Sequence, residues 1–111
     1  MDESILTSIK KLLGIVEDYV NFDKDIIAHI NTTFLTLRQL GIGPEEGFMI
    51  EDKRAVWSDF IKNDKKLIAV QTYIYLKVKL VFDPPLNSSV MEANKQSIAE
   101  LEWRLNVEAE S

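Results

Sequence analysis

The chain contains no cysteine and a single histidine, His29. Without a thiol there is no disulfide scaffold, iron–sulfur cluster, thiol nucleophile or cysteine-ligated zinc, and one imidazole cannot furnish a histidine-rich metal site. Basic residues are outnumbered, 13 against 18 acidic, for a formal net charge of −5. That balance argues against wrapping a nucleic-acid backbone, which takes clustered lysine and arginine. Long apolar runs are also missing. The most apolar stretch, Leu67 to Phe82, is shorter than the roughly 20 residues of a membrane span and holds Lys77 and Lys79. The opening Met1-Asp2-Glu3-Ser4 is acidic and precedes no small-residue cleavage pattern, so no secretory signal is expected and the chain reads as soluble and intracellular. What remains is 111 residues, 46% apolar and 28% charged, the proportions of one ordinary globular domain spanning 1–111.

Helical periodicity dominates. Ile5, Ile9, Leu12 and Leu13 predict a short first helix over Ser4 to Leu13, with Ser4 or Asp2 as cap and Gly14 as stop. Asp23 opens a longer one with Ile26, Ile27, Ile30, Phe34 and Leu37 on one face, ended by Gly41 after Leu40. Asp52 is expected to cap a helix from Lys53 to about Ile61 around Val56, Trp57, Phe60 and Ile61, with Trp57 in the core. Asn63 and Asp64 then break the chain and cap the next element. Leu67 to Phe82 is rich in β-branched and aromatic residues and alternates locally like a strand. A strand of that length would be unusual, whereas Leu67, Val70, Ile74, Val78 and Val81 follow spacings of three and four. The stretch therefore reads as a central, mostly buried helix, with Lys65, Thr72 and Lys79 as its wet stripe. Asp83-Pro84-Pro85 stops it. Ser89 with Glu92 forms a capping box, and Met91, Ile98, Leu101 and Leu105 trace a last helix ending near Asn106, before a frayed tail of Glu108, Ala109, Glu110 and Ser111. The expected fold is all-α, a small bundle of about five helices with one long mid-chain loop.

That loop, Gly41 to Asp52, gathers three of the four glycines and one proline, and loops of such length in small domains are uncommon unless functional or disordered. It holds Glu45, Glu46, Glu51 and Asp52 without a positive partner, giving the segment a charge of −4. Lys62 to Lys79 carries five lysines against Asp64. Complementary surfaces on opposite sides of one subunit would favour docking between neighbours. The successive Phe48, Met49 and Ile50 have two readings: the loop pins all three on the core, or it offers them to a partner. Three adjacent apolar side chains are hard to hide together, which favours the interface. Trp103 lies off the Met91/Ile98/Leu101/Leu105 face, half-exposed and open to a neighbouring subunit.

Catalytic patterns are weak. Asp25 and His29 share a helical turn but read as a surface pair. Gly41-Ile42-Gly43 lacks the lysine of a phosphate loop. Glu45 and Glu46 lack the spaced ligands of a calcium loop. Tyr73, Tyr75, Trp57 and Trp103 could stack single-stranded nucleic acid, but the accompanying basic groove is thin. No enzyme and no cofactor are expected.

The run Val81-Phe82-Asp83-Pro84-Pro85-Leu86-Asn87-Ser88-Ser89-Val90-Met91-Glu92-Ala93, followed by Glu100-Leu101-Glu102-Trp103-Arg104-Leu105-Asn106, resembles the C-terminal half of small head-tail connector proteins of tailed phages and Gram-positive prophages. The order and length of the N-terminal half fit as well. The resemblance implies an all-α structural virion protein that forms a ring of identical subunits, joins the portal of the head to the tail and extends the DNA channel. Its partners would be its own copies, the portal protein and a head-completion, stopper or tail protein, with DNA only as cargo and no membrane. It would assemble in the host cytoplasm and reside at the head-tail junction. The resemblance brings no catalytic residues, so the interface candidates are Glu45, Glu46, Phe48, Met49, Ile50 and Trp103. The alternatives are a small helical protein-protein adaptor or regulatory module and, behind it, a nucleic-acid-binding accessory protein.

Overall fold

The structure, a computed structural model, describes residues 3–110; Asp2 and Ser111, named above as a cap and a tail residue, fall outside them. Five helices follow in order: α1 (Ile5–Leu13), α2 (Asp23–Gln39), α3 (Trp57–Phe60), α4 (Asp64–Phe82) and α5 (Ser88–Glu110). The protein is all-α. Among the described residues the only β-type pairing is an isolated bridge between Ser4 and Val56.

α4 is the central element. Its β-branched content would suit a strand, but Val70, Tyr73, Ile74 and Val78 are all fully buried and repeat at helical spacing. Burial of that stripe outweighs a propensity penalty of a few tenths of a kcal/mol per residue. Asn63 Oδ1 caps the helix by accepting from the N–H groups of Lys65 (3.0 Å) and Lys66 (3.3 Å). Val81, expected inside, is 60% exposed. The last turn presents Phe82 to the core instead, and its ring meets Phe22 edge-on at 5.2 Å. That contact sets the end of α4 beside the start of α2, so the two helices run antiparallel.

α2 buries Ile26, Ile30, Thr33, Phe34 and Leu37. At its end Gly41 takes φ +88°, which lets its N–H reach the Arg38 carbonyl (3.0 Å) and the Ile42 N–H reach that of Leu37 (2.9 Å). α1 is capped by Ser4 Oγ, which accepts from the Thr7 N–H at 3.2 Å. Its apolar face, Ile5, Leu6 and Ile9, lies in the core.

Three boundaries differ from the sequence expectation. Residues 53–55 are not helical, so α3 is a single turn. Asp52 does not cap it but spends its carboxylate on the Arg54 N–H (2.8 Å) and guanidinium. The start of α3 is held by Asp59, which accepts from the Val56 N–H at 3.0 Å. α5 is capped two residues earlier than expected, by Asn87 Oδ1 accepting from the N–H groups of Ser89 (2.8 Å) and Val90 (3.2 Å). It also continues through Glu110 instead of fraying after Asn106, because Ala109 packs on the core.

α5 lies antiparallel to α4, anchored where the Tyr73 hydroxyl donates to Glu102 Oε2 at 2.7 Å. Burial, reinforced by the Glu102 carboxylate, pushes the Tyr73 phenol well above its ordinary value of 10.0. The folded chain thus holds this proton more tightly than the unfolded chain. The contribution is whole below pH 10 and fades as pH rises from about 10 towards the raised folded value. Tyr73→Phe is therefore expected to cost about 1 kcal/mol near neutral pH. Urea titrations at about pH 8 and about pH 11 should show the gap between wild type and variant narrowing at the higher pH.

Candidate interaction surface

The loop from 41 to 56 folds back over α2 instead of standing away from it. Pro44 to Gly47 closes a turn through the Gly47 N–H and the Pro44 carbonyl at 3.0 Å, leaving Glu45 and Glu46 exposed at its tip. The base of the turn is fixed by Arg38, whose Nε donates to the Glu45 carbonyl at 2.7 Å. Gly43, at φ +91°, rests against Phe60, and a Cβ there would come within 2.4 Å of the ring. Only glycine fits both that dihedral and that contact.

The Phe48-Met49-Ile50 triplet divides. The chain is extended here, so successive side chains point to opposite faces. Phe48 is half-buried, packed on Phe34 and Phe60 with centroids 5.1 and 5.3 Å away. Ile50 is buried at 2% exposure, inside this chain's own core, and Met49 stands 70% exposed. Asn31 holds the register: its Oδ1 accepts from the Ile50 N–H (2.8 Å) and its Nδ2 donates to the Ile50 carbonyl (3.0 Å). Nothing about Asn31 stands out in the sequence; only the position of the returning loop reveals its role. Asn31→Ala is expected to lose about 1–3 kcal/mol, since it strips two bonds from a half-buried backbone segment, and to raise hydrogen exchange at Ile50 more than across α4.

Charge is distributed differently from the linear reading. Asp52 is not without a partner: Arg54 lies 2.7 Å away and holds its carboxyl below the ordinary carboxylate range. The lysines do not form one surface on the side opposite the loop. Lys77 and Lys79 lie about 16 and about 20 Å further along α4 than Lys66, at 1.5 Å per residue, and Lys79 pairs with Asp83 at 3.5 Å. Lys62, Lys65 and Lys66 stand at the end of the bundle where Phe60 meets Gly43 and Asn106 reaches the Leu40 carbonyl, the same end as the acidic turn.

An aromatic platform for nucleic acid is not present as imagined, because Trp57 and Tyr73 are interior at 2% and 0% exposure. Among the described residues no group of three or more His, Asp or Glu is placed to hold a metal ion, and no helix is long and apolar enough to cross a membrane.

The segment Glu100 to Asn106 is the most informative. Glu100 pairs with Arg104 at 2.8 Å, Leu101 and Leu105 pack on the core, Glu102 accepts from Tyr73, and Asn106 donates to the Leu40 carbonyl at 3.4 Å. Trp103 alone has no such task and is 67% exposed on the outer face of α5. The structure does not bring it together with Met49, which lies beside Leu35 over α2.

The sequence pattern of one family, described as phage connector protein, matches residues 5–111. The chain belongs to that family. No curated protein and no solved structure matches it. Membership makes the chain a structural connector of phage particles, associated with the virion and with other head and tail proteins, in a family that is structural and not typically enzymatic. The resemblance drawn from the Asp83-Pro84-Pro85 and Leu101–Asn106 segments pointed to this family.

Proposed function

We propose that the chain, acting as one domain over 1–111, assembles into a closed ring at the head-tail junction, binds the portal on one side and a completion or tail protein on the other, and leaves a channel for DNA. The observation that supports this best is Trp103. Every other residue of Glu100 to Asn106 is engaged inside the chain, whereas Trp103 keeps two-thirds of its surface in water, and tryptophan is among the residues enriched at protein–protein interfaces. A closed ring needs two unlike surfaces on each subunit, repeated by rotation. Met49, exposed on the returning loop, and the Glu45-Glu46 turn supply a second surface distinct from that of Trp103. An acidic chain also lets DNA pass without adhering.

Sedimentation of the concentrated protein tests the reading. Wild type is expected to self-associate, Trp103→Ala to weaken that association roughly tenfold or more, and its stability to change by no more than about 0.5 kcal/mol. Glu45→Gln with Glu46→Gln is expected to weaken association at low salt and to have little effect at high salt, where exposed charges are screened. A wild type that stays monomeric at every concentration and salt would overturn the ring.

A further inference from the structure

The segment between α1 and α2, residues 14–22, packs Ile15 on the core and turns its other apolar side chains outward. Val16 is 71% exposed and Val20 62%, with Tyr19 and Phe22 also exposed. This loop is not slack. Lys10, itself 2% exposed, sends its ammonium into it, donating to the carbonyls of Glu17 (2.9 Å) and Tyr19 (2.8 Å) and lying 2.8 Å from Asp23 Oδ1. The Tyr19 N–H closes a turn onto the Val16 carbonyl at 3.1 Å, and the Tyr19 ring leans on Phe22, which leans on Phe82. A buried cation thus fixes a loop that displays valines to water, which is the construction of a preformed docking knob. Glu17 and Asp18 stand exposed on it and neither is in an ion pair among the described residues, while Lys24 and Lys53 share with Glu17 and Val20 the lining of the hollow beside it.

A surface that fits this knob must be apolar with a basic border, and the chain has one. At the start of α4, Ile68 is 72% exposed, Lys65 lies three residues before it and Lys62 precedes the helix, both exposed and unpaired among the described residues. The knob meets α4 at Phe82, fourteen residues beyond Ile68 and about 20 Å along the axis. The two surfaces cannot meet within one subunit, but a head-to-tail contact brings them together.

We propose that the 16–20 knob of one copy docks on the Lys62, Lys65 and Ile68 face of a second copy, Glu17 and Asp18 meeting the lysines and Val16 and Val20 covering Ile68. The proposal rests on the ring reading and names the surfaces that close it. Three charge-reversed chains test it by sedimentation at low salt: Glu17→Lys with Asp18→Lys, Lys62→Glu with Lys65→Glu, and all four together. All four positions are exposed, and melting curves confirm that each variant is folded. Each pair reversal should lower the association constant roughly tenfold or more, and the fourfold reversal should restore it to within about threefold, because opposite charges face each other again. Val20→Ser, which alters no charge, should weaken association in the same direction. Association that ignores both reversals and Val20→Ser overturns this contact and leaves the ring standing, as does a fourfold variant that fails to recover. A wild type that never associates overturns both.

Discussion

Trp57→Ala is expected to cost about 3–5 kcal/mol, a large share of the ~5–15 kcal/mol that holds a small domain folded. Trp57 is 2% exposed and carries the largest side chain in the core. It ties together parts of the chain that are remote in sequence. Its Nε1–H donates to Ser8 Oγ on α1 at 2.9 Å, and Ser8 Oγ lies 2.7 Å from both the Ser4 carbonyl and Glu3 Oε1, which share its one proton as acceptors. Around it the Ile5 N–H reaches the Ala55 carbonyl (3.0 Å) and the Trp57 N–H reaches that of Glu3 (3.3 Å). α3 has only one turn, so it depends on this packing, on Phe60 against Phe34 and Phe48, and on the Asp59 cap for its place. Trp57→Phe keeps most of the buried area and leaves Ser8 without its donor, and should cost about 1–3 kcal/mol. Chemical denaturation separates the two, and a loss below about 1 kcal/mol for Trp57→Ala would contradict the packing described.

Lys10→Met should rank next, at about 3 kcal/mol or more. Removing one partner of a buried pair strands the other, a loss of about 3–5 kcal/mol. Here the Glu17 and Tyr19 carbonyls lose their donor as well, while Asp23, 24% exposed, keeps some water and holds the cost to the lower end. Methionine fills much of the space of the lysine stem, so the loss is mainly electrostatic. Adding Asp23→Asn to Lys10→Met should return part of the stability, since the stranded carboxylate is gone. A double variant no better than the single would show that the ion pair is not what the fold relies on. Both chains should also exchange amide hydrogens faster across residues 15–22 than elsewhere, and, if the knob docks as proposed, should associate more weakly.

The sequence was most legible where one periodicity covered a long stretch. α2 and α4 appeared from spacings of three and four, and the stop at Asp83-Pro84-Pro85 from the chemistry of proline, because those features act within a few residues. Failures came where spacing left a choice open, either between neighbouring groups or with groups distant in the chain. Asp52 could cap a helix or bind Arg54, and Asn87 and Ser89 competed to cap α5; each contest was decided by local geometry that spacing does not encode. The 48–50 triplet was read as one apolar unit, although an extended chain sends Met49 one way and its neighbours the other. Nothing about Lys10 stands out in the sequence, since its oxygen partners come from a segment that begins four residues later and folds back. Trp103 was legible as an outward residue because the 98/101/105 face excludes it. In the proposed ring its neighbours belong to other copies, and the sequence alone does not say where they sit.

Negative-stain imaging of the concentrated protein, alone and with the portal protein of a tailed phage, addresses the central claim most directly. Rings of uniform diameter with a central hole are the predicted result, formed by wild type and lost in Trp103→Ala. Dispersed single subunits in both samples would contradict it.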